Sequence, residues 1–339
     1  MKKTTKIIAL CFCISVLIIS YTGCGNKTEP VSKDSYYMDT VCTVTIYDME
    51  KMSEENAGKV IDETFSLCGD YEDLISATKE ESDIYKINHA GGKTVKCDSH
   101  TIDVVKMGIE AGERSDGAFD ITIGKVTDLW DFHGENPSVP EQSKIKEALE
   151  DVNYKQIRID GNTITMENPE GEINLGGIGK GYIADRAADF LKEKGVTSGI
   201  VNFGGNIVVI GDKQGDPFKI GVELPYSDRS EIAGYVETKN ATLVTSGIYE
   251  RYFEQGGKQY HHIIDVNTGY PADTDVVSVT IIAPFGYSGV SDGLSTTCLL
   301  EGSRKGMELI ENMKGFEAVF QTKDGKLLKT KGVDNFTEQ

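Results

Sequence analysis

An α+β fold is predicted from three observations: two long stretches with apolar residues at helical spacing, many short strand-like segments bounded by glycine turns, and a mixed order of the two with no internal repeat. Residues 41–47 alternate as a strand, and 53–75 follow as a helix with Ile61, Phe65, Cys68 and Ile75 near helical spacing. A second helix over 99–114 carries Ile102, Val105, Ile109 and Gly112 on one side and leads into the turn Ser115-Asp116-Gly117. After a helix at 141–150, strands at 156–159, 163–166 and 172–174 run into a glycine loop at 176–181. A helix at 182–194 then stops at Gly195. Further strands are predicted at 198–202, 207–211, 219–223, 234–238, 243–246, 260–265 and 276–282. Helices at 287–301 and 303–313 and a strand at 318–321 close the chain.

Composition narrows the function. Lys plus Arg number 35 against 54 Asp plus Glu, so the formal charge is −19; removing the first 24 residues, which hold three lysines and no acid, deepens it to −22. Such a surface argues against nucleic-acid or anionic-lipid binding. Lys2, Lys3 and Lys6 precede an apolar run over 7–19, too short to span a bilayer, and Thr22-Gly23-Cys24 follows. This looks like a bacterial lipoprotein signal: residues 1–23 are cut off, Cys24 is lipidated, 24–33 form a tether, and 34–335 form one domain on the extracytoplasmic face of the cytoplasmic membrane. A secreted chain cut elsewhere, or an uncleaved anchor, is the alternative. Cys42, Cys68, Cys97 and Cys298 are too widely spaced for a metal clamp and read as core residues.

Four segments carry chemistry. Asn174-Leu175-Gly176-Gly177-Ile178-Gly179-Lys180-Gly181-Tyr182 lies between a strand and a helix, where close backbone approach, free N–H groups and Lys180 suit a phosphate or pyrophosphate. A P-loop would need glycine at 174 and Ser or Thr at 181, and a dinucleotide fingerprint fails at Tyr182, so a plain tight turn is the competing reading. Asp292 and Thr296 share a helix face and offer hard oxygens to Mg²⁺; a cap and a buried threonine are the alternative. His262 and Asp265 follow on a strand running into Asn267-Thr268-Gly269, a base and a carboxylate that meet only if the turn has already bent the chain. Gly117-Ala118-Phe119-Asp120, with Trp130 and Phe132 beyond it, suits a planar ring ligand or, equally, a core strand followed by an aromatic-capped loop.

In their order along the chain the segments resemble the ApbE family, the FAD:protein FMN transferases. The matching blocks are Met38-Asp39-Thr40, Gly117 to Asp120, Asn174 to Tyr182 with Asp185, Asn202-Phe203-Gly204-Gly205-Asn206, Thr245-Ser246-Gly247, His262 to Asp265 with Thr268 to Pro271, and Asp292 to Thr296. The resemblance implies a T-fold-like architecture of two lobes with FAD, the substrate, bound between them. It implies Mg²⁺ held by Asp292, Thr296 and the Gly179 carbonyl, and an FAD site lined by Met38, Thr78, Ala118, Phe119, Asp120, Gly176, Lys180, Tyr182 and Ile264. His262 would stand at the reacting centre with Asp265 beside it. The implied reaction moves FMN to a Ser or Thr of an acceptor protein, a component of an exported or membrane redox system, and releases AMP. Three positions depart from the pattern: Gly179 where alanine is common, Asp39 where glycine is, and Thr78 where an aromatic often meets the flavin. An FAD pyrophosphatase giving FMN and AMP, and a non-catalytic flavin-binding lipoprotein, are the competing functions.

Overall fold

A computed structural model describes residues 29–132, 134, 136–227 and 231–339, so the signal segment and Cys24 lie outside the described residues. The chain opens with the hairpin β1 (Val31–Tyr37) and β2 (Thr40–Met49), then α1 (Glu54–Ile75), α2 (Asp83–Asn88), β3 (Val95–Lys96) and α3 (Ser99–Arg114). Next come α4 (Gly124–Trp130), α5 (Gln142–Leu149), β4 (Ile157–Asp160), β5 (Thr163–Met166) and α6 (Gly179–Glu193). Strands β6 (Val196–Phe203), β7 (Asn206–Ile210), β8 (Phe218–Glu223), β9 (Ile232–Thr238), β10 (Ala241–Gly247), β11 (Tyr252–Gln255), β12 (Lys258–His261) and β13 (Val276–Pro284) follow. The last elements are α7 (Ser288–Glu311), β14 (Glu317–Thr322), β15 (Leu327–Lys329) and β16 (Phe336–Glu338).

Eight strands form one antiparallel sheet in the order β1-β2-β6-β7-β10-β13-β14-β15. Alternation decides its faces: Cys42, Val44 and Ile46 of β2 point to one side, where they join Ile61, Phe65 and Cys68 of α1 and Ile183, Ala187 and Leu191 of α6 in one core. The smaller sheet β16-β9-β8 covers part of the other face through Phe218, Ile220, Val222 and Val236 against Val209 and Leu243. Central β13 is covered on both faces and reads as a nearly continuous apolar run. A third sheet, β3-β5-β4, pairs antiparallel, and the β11-β12 hairpin shares a core with α4 and α5 around Trp130. Cys42, Cys68, Cys97 and Cys298 are buried and free, as core residues should be.

Several boundaries depart from the sequence reading, each for a physical reason. β1 already begins at Val31, inside the stretch expected to be a tether, because Val31–Lys33 pair with Val44–Ile46; at the other end β16 runs to Glu338, past the expected end at 335. Residues 119–123 make no core strand: Ile123 forms a single bridge to Glu172, and α4 begins at once. For the same reason 172–174 is not a strand of its own. α6 starts at Gly179, three residues early, since tertiary partners supply what the glycines lack in helix propensity. The strand foreseen over 260–265 ends at His261. Helix α7 is broken at Gly302, whose φ of 79° separates the two helices foreseen there.

Candidate functional site

The site is built where two helix N-termini cross. Neither α6 nor α7 has a capping side chain in its own leading residue. Each takes its cap from the other: Asp292 Oδ2 accepts the Gly181 N–H at 3.0 Å, and Asp185 accepts the N–H groups of Ser288 and Gly289, both at 3.0 Å. The crossing is so close that a Cβ on Gly181 would lie 2.3 Å from the Ser288 carbonyl oxygen. Burial pushes the Asp185 carboxyl up to about 6, against the pull of its two N–H donors.

A cavity of about 790 Å³ opens beside this crossing, within the range of sites that hold a cofactor-sized ligand. Its wall includes Met38, Thr78, Ala118, Phe119, Asp120, Gly176, Lys180, His262, Ile264, Asp292 and Thr296. Residues spread over some 260 positions of sequence thus come together. Lys180 Nζ donates to the Gly176 carbonyl at 3.0 Å and lies 3.7 Å from Asp292 Oδ1. The Phe119 ring rests where Gly177 has no side chain, 3.0 Å from the position a Cβ would take. Asp120 is spent internally: it accepts from Thr122 N and Oγ1 and from Tyr154 N, fixing the 118–120 wall, while burial pushes its carboxyl upward.

His262 sits in the wall with Nδ1 3.2 Å from the Arg251 carbonyl. That contact assigns the ring proton to Nδ1 and leaves Nε2 as the basic nitrogen. Burial first, then the Arg251 guanidinium, push its pKa down to about 3, so the ring is neutral at ordinary pH.

Four of the residues expected at the site lie elsewhere. Tyr182 is buried against α3, its hydroxyl 2.8 Å from His100 Nδ1 and its ring edge-on to Tyr71, because the first turn of α6 rotates it away from the cavity. Asp265 does not orient His262: its carboxylate accepts Asn267 N and Nδ2 and Thr268 Oγ1, closing the turn. Gly179 is buried at the start of α6 beneath Met38 and Ile75, outside the cavity wall. Trp130 is likewise a core residue, donating to the Gly269 carbonyl at 2.9 Å, whereas Phe132 reaches the wall. Sequence reasoning missed Arg251, whose Nη2 donates to the Asp39 carbonyl at 3.3 Å, because a lone arginine between a glycine turn and an aromatic strand carries no local signal. It gave no role to Ser246, another wall residue, 2.7 Å from Ser295 Oγ.

The oxygen donors facing the cavity suit a hard cation. Asp292, only 2% exposed, has one oxygen on Gly181 and the other turned toward Lys180, and Thr296 stands one helical turn on. Among the described residues no cluster of three or more His, Cys, Asp or Glu side chains could cage a metal. One carboxylate and one hydroxyl match Mg²⁺, which draws most of its ligands from water and substrate phosphates.

The family model described as the ApbE family matches residues 38–320. A Treponema pallidum protein named FAD:protein FMN transferase is 30% identical over 342 residues, covering 94% of this chain and 93% of its own length. A Klebsiella pneumoniae protein of the same name is 34% identical over 269 residues, covering 78% and 82%. Among solved structures, the ApbE protein of Thermotoga maritima superposes with a TM-score of 0.81 at 31% identity, over 89% of this chain and 97% of that one. The flavin transferase ApbE from Vibrio cholerae gives 0.80 at 27% identity, over 91% and 99%. With matches spanning nearly all of the described fold and every wall of the cavity, the chain belongs to the ApbE family.

Proposed function

We propose that this chain is an FAD:protein FMN transferase, moving the FMN half of FAD to a Ser or Thr hydroxyl of an acceptor protein and releasing AMP. The observation that carries the reading is the cavity itself: a flavin-sized space whose wall joins Lys180, Asp292, Thr296 and a neutral His262. Its relatives bear the name of that activity. In this reading the protein has a T-fold-like, two-lobed architecture with FAD between the lobes. Met38, the 118–120 segment, Gly176 and Ile264 hold the flavin half, and Lys180 meets the phosphates. Asp292 and Thr296 would hold Mg²⁺, which when bound neutralises pyrophosphate charge. Nε2 of His262 takes the proton as the acceptor oxygen bonds to the FMN phosphorus, and the P–O bond to AMP breaks with its electron pair leaving on AMP. The acceptor is a protein of an exported or membrane redox system. The enzyme reaches it from the extracytoplasmic face of the cytoplasmic membrane, anchored through a lipidated Cys24.

The test mixes the chain lacking its first 24 residues with FAD, Mg²⁺ and an exported candidate acceptor. A fluorescent band that survives denaturation, with an FMN-sized mass gain on one Ser or Thr, is expected; it should vanish with chelator. Free FMN and AMP without a labelled protein across several acceptors would instead establish a pyrophosphatase, and intact FAD a binding protein.

A further inference from the structure

The turn that places Met38 in the cavity wall is strained. β1 and β2 are joined by Met38 and Asp39 alone, closing on the Tyr37–Thr40 pair, and their φ angles are +49° and +56°. Two successive left-handed residues make the tight hairpin turn that asparagine and glycine enter readily and a methionine does not. A contact from outside the hairpin must offset that cost. Glu72 of α1 supplies it: Oε1 accepts the Met38 N–H at 2.6 Å, and Oε2 is held by Lys79 Nζ at 2.7 Å. Lys79 also reaches Asp73 at 2.7 Å, which pins the loop after α1. Ser76 and Thr78 of that loop line the cavity, as do Met38 and Asp39. One carboxylate therefore joins two walls.

We infer that Glu72 is a positioning residue for ligand binding: it holds the Met38 turn in its left-handed form and fixes the gap between that turn and the 76–78 loop. The inference rests on the reading of the cavity as the FAD site. Glu72 is not part of the cavity wall, so it acts on affinity and leaves the chemical step alone. A charge-assisted hydrogen bond to a backbone N–H is strong enough for its loss to be read as about a tenfold change in affinity.

Full-length wild type, Glu72→Ala, Glu72→Gln and the double variant Glu72→Ala/Asp39→Gly are compared by FAD affinity from quenching of flavin fluorescence, by the KM and kcat of FAD turnover, and by hydrogen exchange of the Met38 amide without flavin. Glu72→Ala should raise the Kd and KM for FAD about tenfold with kcat within about twofold. Glu72→Gln keeps a carbonyl acceptor for the Met38 N–H but loses the anion that Lys79 holds, so its Kd for FAD should fall between those of wild type and Glu72→Ala. Asp39→Gly should return the Glu72→Ala affinity to within about threefold of wild type, because glycine takes the turn without a Cβ penalty. Unchanged affinity in Glu72→Ala, equal losses in Glu72→Ala and Glu72→Gln, or no rescue by Asp39→Gly would each overturn the inference. If wild type binds no FAD, the flavin reading fails and the clamp is judged by exchange: a faster Met38 amide in Glu72→Ala and not in Glu72→Gln upholds it, and equal rates overturn it.

Discussion

Replacing Gly181 by alanine should force apart the two helices that carry the site. The new Cβ would stand 2.3 Å from the Ser288 carbonyl oxygen, 2.6 Å from its carbon and 2.8 Å from the Gly289 Cα, all backbone atoms that cannot rotate away. Ordinary contact needs about 3.4 Å, so the start of α7 must retreat by about 1 Å. Overpacking of this kind costs about 1–3 kcal/mol, and the rigidity of the obstacle puts this case at the upper end. The retreat also stretches the three cross-capping bonds from Asp292 and Asp185, so a total near 4 kcal/mol is expected. With an unfolding entropy of about 2.1 cal/mol/K per residue over about 300 residues, that loss lowers the melting temperature by about 6 °C. Gly293 is the control. A Cβ there meets Ala111 at 3.5 Å, an ordinary contact, so Gly293→Ala should gain up to about 1 kcal/mol of helix propensity and melt no lower than wild type. Calorimetry of the two variants reads both effects. A Gly181→Ala melting temperature within about 1 °C of wild type would refute the close crossing and the shared capping built on it.

Three further predictions concern charge. Asp292→Asn keeps an acceptor for the Gly181 N–H but loses the anion, so it should melt close to wild type while transfer falls roughly 10²-fold or more; Asp292→Ala should lose both, as melting curves and single-turnover labelling will tell. Because the His262 pKa is pushed down to about 3, its basic form is already present throughout pH 5–8, and kcat/KM should show no acid limb near 6.5; a limb there that disappears in His262→Gln would overturn the lowered pKa while upholding His262 as the base. The Asp185 carboxyl, raised to about 6 in the fold, binds a proton there more readily than in the unfolded chain. Stability should therefore fall as pH rises from about 4 to 6, by up to about 3 kcal/mol, and Asp185→Asn should lack that slope in denaturant titrations across the window.

Much of this was legible in the sequence where local physics decides. Ser53 caps α1 through its hydroxyl, 3.1 Å from Asn56 N, and Asp98 caps α3, so both helices begin within a residue of where the pattern puts them. The β2 alternation announces its buried face equally well. What was illegible depends on partners distant in sequence. α6 takes two glycines, Gly179 and Gly181, into its first turn because Asp292, 111 positions away, satisfies the Gly181 N–H, and because only glycine fits under Ser288. The 260–265 segment has strand composition throughout, yet Asp265 diverts its carboxylate into a turn and the ladder stops at His261. Tyr182, placed at the flavin by the resemblance, stands instead within the first turn of α6 with its hydroxyl on His100, a partner 82 positions away that no local pattern announces.

The cap reading of Asp292 is the one the structure shows, and it leaves the proposed cation role open to the same side chain. A carboxylate has two oxygens. Oδ2 is committed to Gly181 N, which fixes the side chain's rotamer at the crossing; Oδ1 is left facing Lys180 and the cavity. In the proposed function the cap therefore preorganises Asp292 as the cation ligand, and burial to 2% exposure limits the water that would otherwise screen it. Asp185 completes the arrangement from the other helix, since by holding Ser288 and Gly289 it keeps the first turn of α7, and with it Asp292, pressed against α6. The same close crossing that makes Gly181 irreplaceable also sets how far Asp292 stands from the glycine loop, so stability and cation binding should fail together in Gly181→Ala and separate in Asp292→Asn.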